Sequence, residues 1–109
     1  MKKYTVELTT LAQEQILEIA KYITEELMSP AAANRLLDKF ESEISKLDST
    51  PERIVLVDEE PWHSKGVRKF IIENYIAYFI ILESENAVRV IAVVMSRRDQ
   101  KKQLKKTGV

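Results

Sequence analysis

Apolar and polar residues alternate one for one at the start of the chain: Tyr4, Val6 and Leu8 against Thr5, Glu7 and Thr9. A period of two is that of a half-buried strand. The period then lengthens. Ala12, Ile16, Ile19, Ala20, Ile23 and Leu27 recur at helical spacing, with Glu14, Glu18, Lys21 and Glu25 on the wet side. Thr9 or Thr10 offers a hydroxyl to cap the free amides of this helix. Met28 ends the run, and Ser29-Pro30 begins another, with Ser29 as N-cap and Pro30 at the first helical position, where a missing N–H is harmless. Ala33, Leu36, Leu37, Phe40, Ile44 and Leu47 continue the helical period until Ser49-Thr50-Pro51 stops it. So short a connection makes the two helices an antiparallel hairpin whose joined apolar faces must cover something.

What they cover is predicted by the second half. Residues 54–57 are apolar but few, and Asp58-Glu59-Glu60-Pro61 breaks them, which reads as loop or weak edge strand. Residues 67–73, 75–83 and 87–95 read as three strands, joined by a tight turn at Glu73-Asn74 and a hairpin turn at Ser84-Glu85-Asn86. The last strand is almost wholly apolar, as a central strand buried on both faces would be. The expected fold is α+β in the order β-α-α-β-β-β. A helical hairpin packs on one face of a mostly antiparallel four-stranded sheet, in a single domain over residues 1–109. The basic tail, residues 98–109, forms a turn or two of helix or frays. With only Leu104 to anchor it, its lysines are expected to be mobile.

Composition then narrows the chemistry. The chain has no cysteine, one histidine and two glycines. That predicts no disulfide, no metal centre, no phosphate-cradling loop, no cofactor and no small-molecule ligand. The longest uncharged stretch, residues 74–82, is too short to span a membrane, and no apolar signal core follows Met1, so the cytoplasm is the expected compartment. The net charge of zero conceals a division. Residues 1–60 carry 7 Lys/Arg against 13 Asp/Glu, and residues 61–109 carry 10 against 4. Arg97, Arg98, Lys101, Lys102, Lys105 and Lys106 crowd the end, opposed only by Asp99. Such asymmetry suits nucleic acid or an acidic protein surface; a solvated basic tail is the alternative.

Several segments together resemble one family. They are Tyr4-Thr5-Val6-Glu7-Leu8-Thr9, then Ala12, Ile16, Ile19 and Tyr22-Ile23, then Val67-Arg68-Lys69-Phe70 and Asn74-Tyr75-Ile76-Ala77-Tyr78-Phe79, and finally Val88-Arg89-Val90-Ile91 and Val94-Met95-Ser96-Arg97-Arg98-Asp99. In this conjunction the chain resembles the RelE/ParE superfamily of toxins, also called plasmid-stabilisation proteins, over roughly residues 3–104. The resemblance implies a toxin neutralised by a cognate antitoxin whose disordered segment folds onto a groove or strand edge. It also implies one of two targets: the ribosome with its messenger RNA, cut by RelE-like endoribonucleases, or DNA gyrase, poisoned without catalysis by ParE-like members.

RelE-like nucleases are similar to one another in a basic residue on the first strand of the β-rich half, an arginine on the next, another after the last, and a distal tyrosine. Carried over, the first falls at Arg68 and the third at Arg98, with Arg97 beside it. The middle-strand position holds Tyr75, and Leu104 stands about where the tyrosine would be. Guanidinium holds phosphate well but is a poor base. His63 could supply one, although an exposed loop histidine is the plainer reading. A nuclease would thus rest on Arg68, Arg98, His63 and Tyr75. Target binding of either kind would fall to Arg68, Lys69, Arg97, Arg98, Lys101 and Lys102. Of Arg68 and Lys69, strand alternation allows only one on the face away from the hairpin. The missing arginine favours a non-catalytic toxin of gyrase, with the ribosome-dependent endoribonuclease as the alternative; a non-toxic binding module sharing the fold is a third class.

Overall fold

The alternating segment becomes β1 (Thr5–Leu8), and Thr9 caps the next helix, its side chain accepting from Ala12 N at 3.2 Å. This computed structural model describes residues 3–109. Helix α1 spans Thr10–Glu25 and α2 spans Pro30–Ser45, with Met28 in the left-handed conformation at the connection (φ 53°). Two details differ from expectation. Ser29 makes no side-chain cap bond, so the start of α2 rests on Pro30. Leu27 lies beyond the end of α1 and is exposed, as are Tyr22 and Met28 (81% for Met28).

Strands β2 (Arg68–Ile72), β3 (Tyr75–Leu82) and β4 (Ala87–Met95) form antiparallel pairs, and β1 pairs with β4 in parallel, giving the order β1-β4-β3-β2. The parallel pair is a consequence of the hairpin, which carries the chain across the sheet and leaves β1 beside the last strand. A half-buried Arg89–Glu7 ion pair (2.7 Å) ties the two strands and, still well reached by solvent, adds at most about 1 kcal/mol. Tyr78 and Phe79 are fully buried on opposite faces, and a register shift opposite them leaves Ile91 as an extra residue of β4, so that Ile91 and Ala92 both enter the second core.

On one face the hairpin contributes Ala12, Ile23, Ala33, Leu36, Phe40 and Ile44 against Phe79, Val88, Val90 and Val93. The other face is closed as well, as the apolar run of the last strand predicts. Residues 56–67 cross it as a strap, burying Val57, Trp62 and Val67 against Ile76, Tyr78, Ile91 and Val94. The strap touches the edge of β2 through a bridge between Leu56 and Arg68. The tail completes the cover. Helix α3 (Gln100–Lys105), capped by Asp99, sinks Leu104 completely, and Trp62 Nε1 donates to Val109 O at 3.1 Å. The tail is therefore docked as a short helix, the first of the two outcomes the sequence left open. One side chain sufficed because the strap had already built its socket.

Leu104→Ala should destabilise the protein by about 2–5 kcal/mol, the usual loss for a fully buried leucine. Lys101→Ala, on the exposed side of α3, should stay within about 0.5 kcal/mol. Urea denaturation of the two variants measures the difference, which vanishes if the tail is only a solvated extension.

Candidate functional site

Strand β1 is four residues long and β4 nine, so β4 from Ile91 onward has no strand on its outer side. A groove of about 710 Å³ lies there, between α1 and the start of α2 on one side and α3 on the other. Ile19, Tyr22, Ile23, Val93 and Tyr75 give it an apolar wall. Arg35 reaches across to Glu73 in a two-pronged pair (3.0 and 3.3 Å), and the arginine holds the Glu73 carboxyl below the usual range. Arg98 and Lys106 line the groove as well, together with Gln103 of α3. Gln15 Oε1 accepts the Val93 N–H at 2.8 Å. Sequence reasoning passed over Gln15, though a signal was present. It lies three residues after Ala12 and four before Ile19, a polar residue within the inward stripe.

The candidate residues do not form one cluster. Arg68 lies opposite Phe79, which belongs to the core on the hairpin side, and its guanidinium donates to Glu52 O (3.2 Å) and Ile54 O (2.5 Å). Tyr75 lies on the same side, edge-on to Phe40 with ring centroids 5.4 Å apart. Burial, and next the Glu73 charge, push its hydroxyl pKa up. Lys69, opposite Tyr78, is the member of the Arg68/Lys69 pair on the strap side. His63 is exposed on the strap, where Nδ1 donates to Val57 O at 2.7 Å. Arg97 and Arg98 are exposed just past β4, and Lys101 and Lys102 are exposed on α3. Among the described residues no group of three His, Cys, Asp or Glu could hold a metal ion.

A third feature lies between the sheet and the strap. The Tyr78 hydroxyl is fully buried without a hydrogen-bond partner, and its pKa is pushed up to about 12 by burial and secondarily by the charge of Glu59. A phenol with no partner is a poor acid or base for an RNA substrate, which would have no path to it.

Comparison with known proteins adds the following. The family model described as the ParE toxin of the type II toxin–antitoxin system parDE matches residues 6–100. No curated relative matches the sequence. Among solved structures, a chain of the chromosomal ParDE system from P. aeruginosa superposes with a TM-score of 0.71 at 15% identity, over 87% of this chain and 98% of that one. The toxin–antitoxin complex RelBE2 of Mycobacterium tuberculosis gives 0.57 at 19% identity, over 87% and 93%. A mutant of the E. coli toxin RelE in the free state gives 0.60 at 14% identity, over 95% and 97%. At these identities the superpositions establish the shared α+β fold.

The buried phenol sets a pH dependence. Its folded pKa lies above the unfolded value near 10, so the neutral form stabilises the fold below pH 10 and that contribution is lost as pH rises towards 12. Tyr78→Phe should remove this alkaline loss and leave stability at pH 7 unchanged or improved, since the hydroxyl it deletes is unsatisfied. Denaturation at pH 7, 10 and 11 measures both effects.

Proposed function

Given that the chain belongs to the ParE toxin family and is the toxin of a type II toxin–antitoxin system, we propose that it acts in the cytoplasm on DNA gyrase, without catalysing a reaction, and that a cognate antitoxin neutralises it. The dispersal of the basic residues carries the choice of target. Metal-free RNA cleavage needs a base, an acid and cations around one phosphate. Arg68 is level with Phe79 and Val90, whereas Arg98 follows Met95, which is level with Tyr75, four residues along β3 or about 13 Å further. Arg68 is moreover held by backbone carbonyls on the hairpin side, and the strap-side sheet face is filled with apolar side chains.

What remains suits binding. Arg97 and Arg98 stand where the rigid sheet ends, and Lys101 and Lys102 continue their charge along a docked helix. An array held by secondary structure can meet an acidic protein surface with little ordering cost. Among the described residues no helix is long and apolar enough to cross a membrane.

Expression of the chain alone should arrest growth, and the purified protein should inhibit gyrase-dependent supercoiling. Arg98→Ala should abolish both while changing stability by less than about 0.5 kcal/mol. Codon-dependent cuts in ribosome-bound messenger, lost in Arg98→Ala, would replace this reading by the nuclease. Normal growth at high soluble levels, with no effect in either assay, would leave a binding module.

A further inference from the structure

Among the described residues Gln103 is the one amide or charged residue that is buried, at 6% exposure. Its backbone is accounted for: the N–H donates to Asp99 O at 3.1 Å, and the carbonyl accepts from Lys106 N at 3.2 Å. Its side-chain amide makes no hydrogen bond to a described residue, and it lines the groove between α1 and α3. A buried amide needs a partner, and what this one faces is the groove. Two cations stand beside it there, Arg98 and Lys106. Neither is in an ion pair among the described residues. The turn after β4 fixes Arg98, whose N–H donates to Met95 O at 3.1 Å. Residues 103 and 106 are one helical turn apart and share a face of α3. Two unpaired cations and a sheltered amide donor are the set that holds an anion.

The opposite wall has another chemistry. Ile19 and Ile23 flank the ring of Tyr22, which is 55% exposed, and Glu18 is its neighbour one turn back on α1. A flat apolar ring can lie against Tyr22 while hydroxyl donors reach the Glu18 carboxylate. We propose that the groove binds a nucleoside phosphate, its phosphate on Arg98, Lys106 and the Gln103 amide and its base against Tyr22. A groove of about 710 Å³ has room for the whole molecule. Inorganic phosphate would satisfy one wall and a nucleoside the other; only the joined molecule uses both. The chain has no glycine-rich loop to cradle phosphate, and side chains of α3 take that part. The proposal goes beyond the gyrase reading and does not depend on it. Arg97, Lys101 and Lys102 lie outside the groove and stay available to a target.

A free nucleotide and the end of a single strand both carry this chemistry, so the test offers both. The full chain alone, labelled with ¹⁵N, is titrated with AMP, adenosine, inorganic phosphate and a short single-stranded DNA. AMP should bind saturably and shift the Gln103 side-chain amide signal. Adenosine and phosphate should each bind at least about 10-fold more weakly, since each engages one wall only. Gln103→Leu should weaken AMP binding about 10-fold and Lys106→Ala about 3-fold. Lys101→Ala, outside the groove, should change it less than about 2-fold. Tyr22→Ala should erase the preference for AMP over phosphate. Equal affinity for AMP and phosphate, equal losses in Lys101→Ala and Lys106→Ala, or a Gln103 amide that stays still under either nucleotide ligand overturns the proposal. Tighter binding of the DNA with the same Gln103 shift assigns the site to the end of a strand; AMP as the stronger ligand assigns it to the free nucleotide. Should Gln103→Leu fold poorly, Lys106→Ala and the amide shift of the unaltered chain decide.

Discussion

A nine-residue strand with apolar groups on both faces can leave neither face in water, and β4 is such a strand. The hairpin covers one side of it; the strap and α3 cover the other. The register shift opposite Tyr78 and Phe79 belongs to the same requirement, since it turns Ile91 and Ala92 together into the second core. Even the tail follows from it. Leu104 and Trp62 meet because the strap-side face of β4 must be sealed beyond the reach of the loop alone. Burial on this scale contributes on the order of 1.5–3 kcal/mol for each large side chain, before the entropy of ordering is subtracted.

This dependence explains what could be read beforehand. Periodicity exposes any residue whose neighbours in sequence share its face, so β1, both helices and all three later strands were legible. So was the double burial of β4, from its unbroken apolar run. The strap was not. Its buried residues, Val57, Trp62 and Val67, are spaced five apart among acids and a proline, with neither a strand's nor a helix's period. The choice between a helical and a frayed tail was left open for the same reason: a single leucine anchors nothing unless an irregular segment elsewhere has prepared a hole for it.

The candidate site was legible in part, and the limit is again geometric. Alternation correctly separated Arg68 from Lys69, but no pattern states which face the hairpin takes, and Arg68 proved to lie under it. Arg97 and Arg98 were readable because they follow a strand directly. Gln15 and the groove depend on the difference in length between β1 and β4, and on a parallel pairing that no local signal announces. A residue whose role is to complete another strand's hydrogen bonds looks, in sequence, like a lapse in an apolar stripe.

The parallel pairing of β1 with β4 also bears on how the molecule comes into being. Glu7 and Arg89, which face each other across it, are 82 positions apart. During synthesis β1 is made before the helical hairpin and waits for β4, the last of the four strands. The hairpin can coil early from its local contacts, but the sheet that holds its apolar face arrives only with residues 68–95. Long-range closure of this kind is the slow part of folding. The cationic end acquires its fixed position only once β4 has locked between its neighbours.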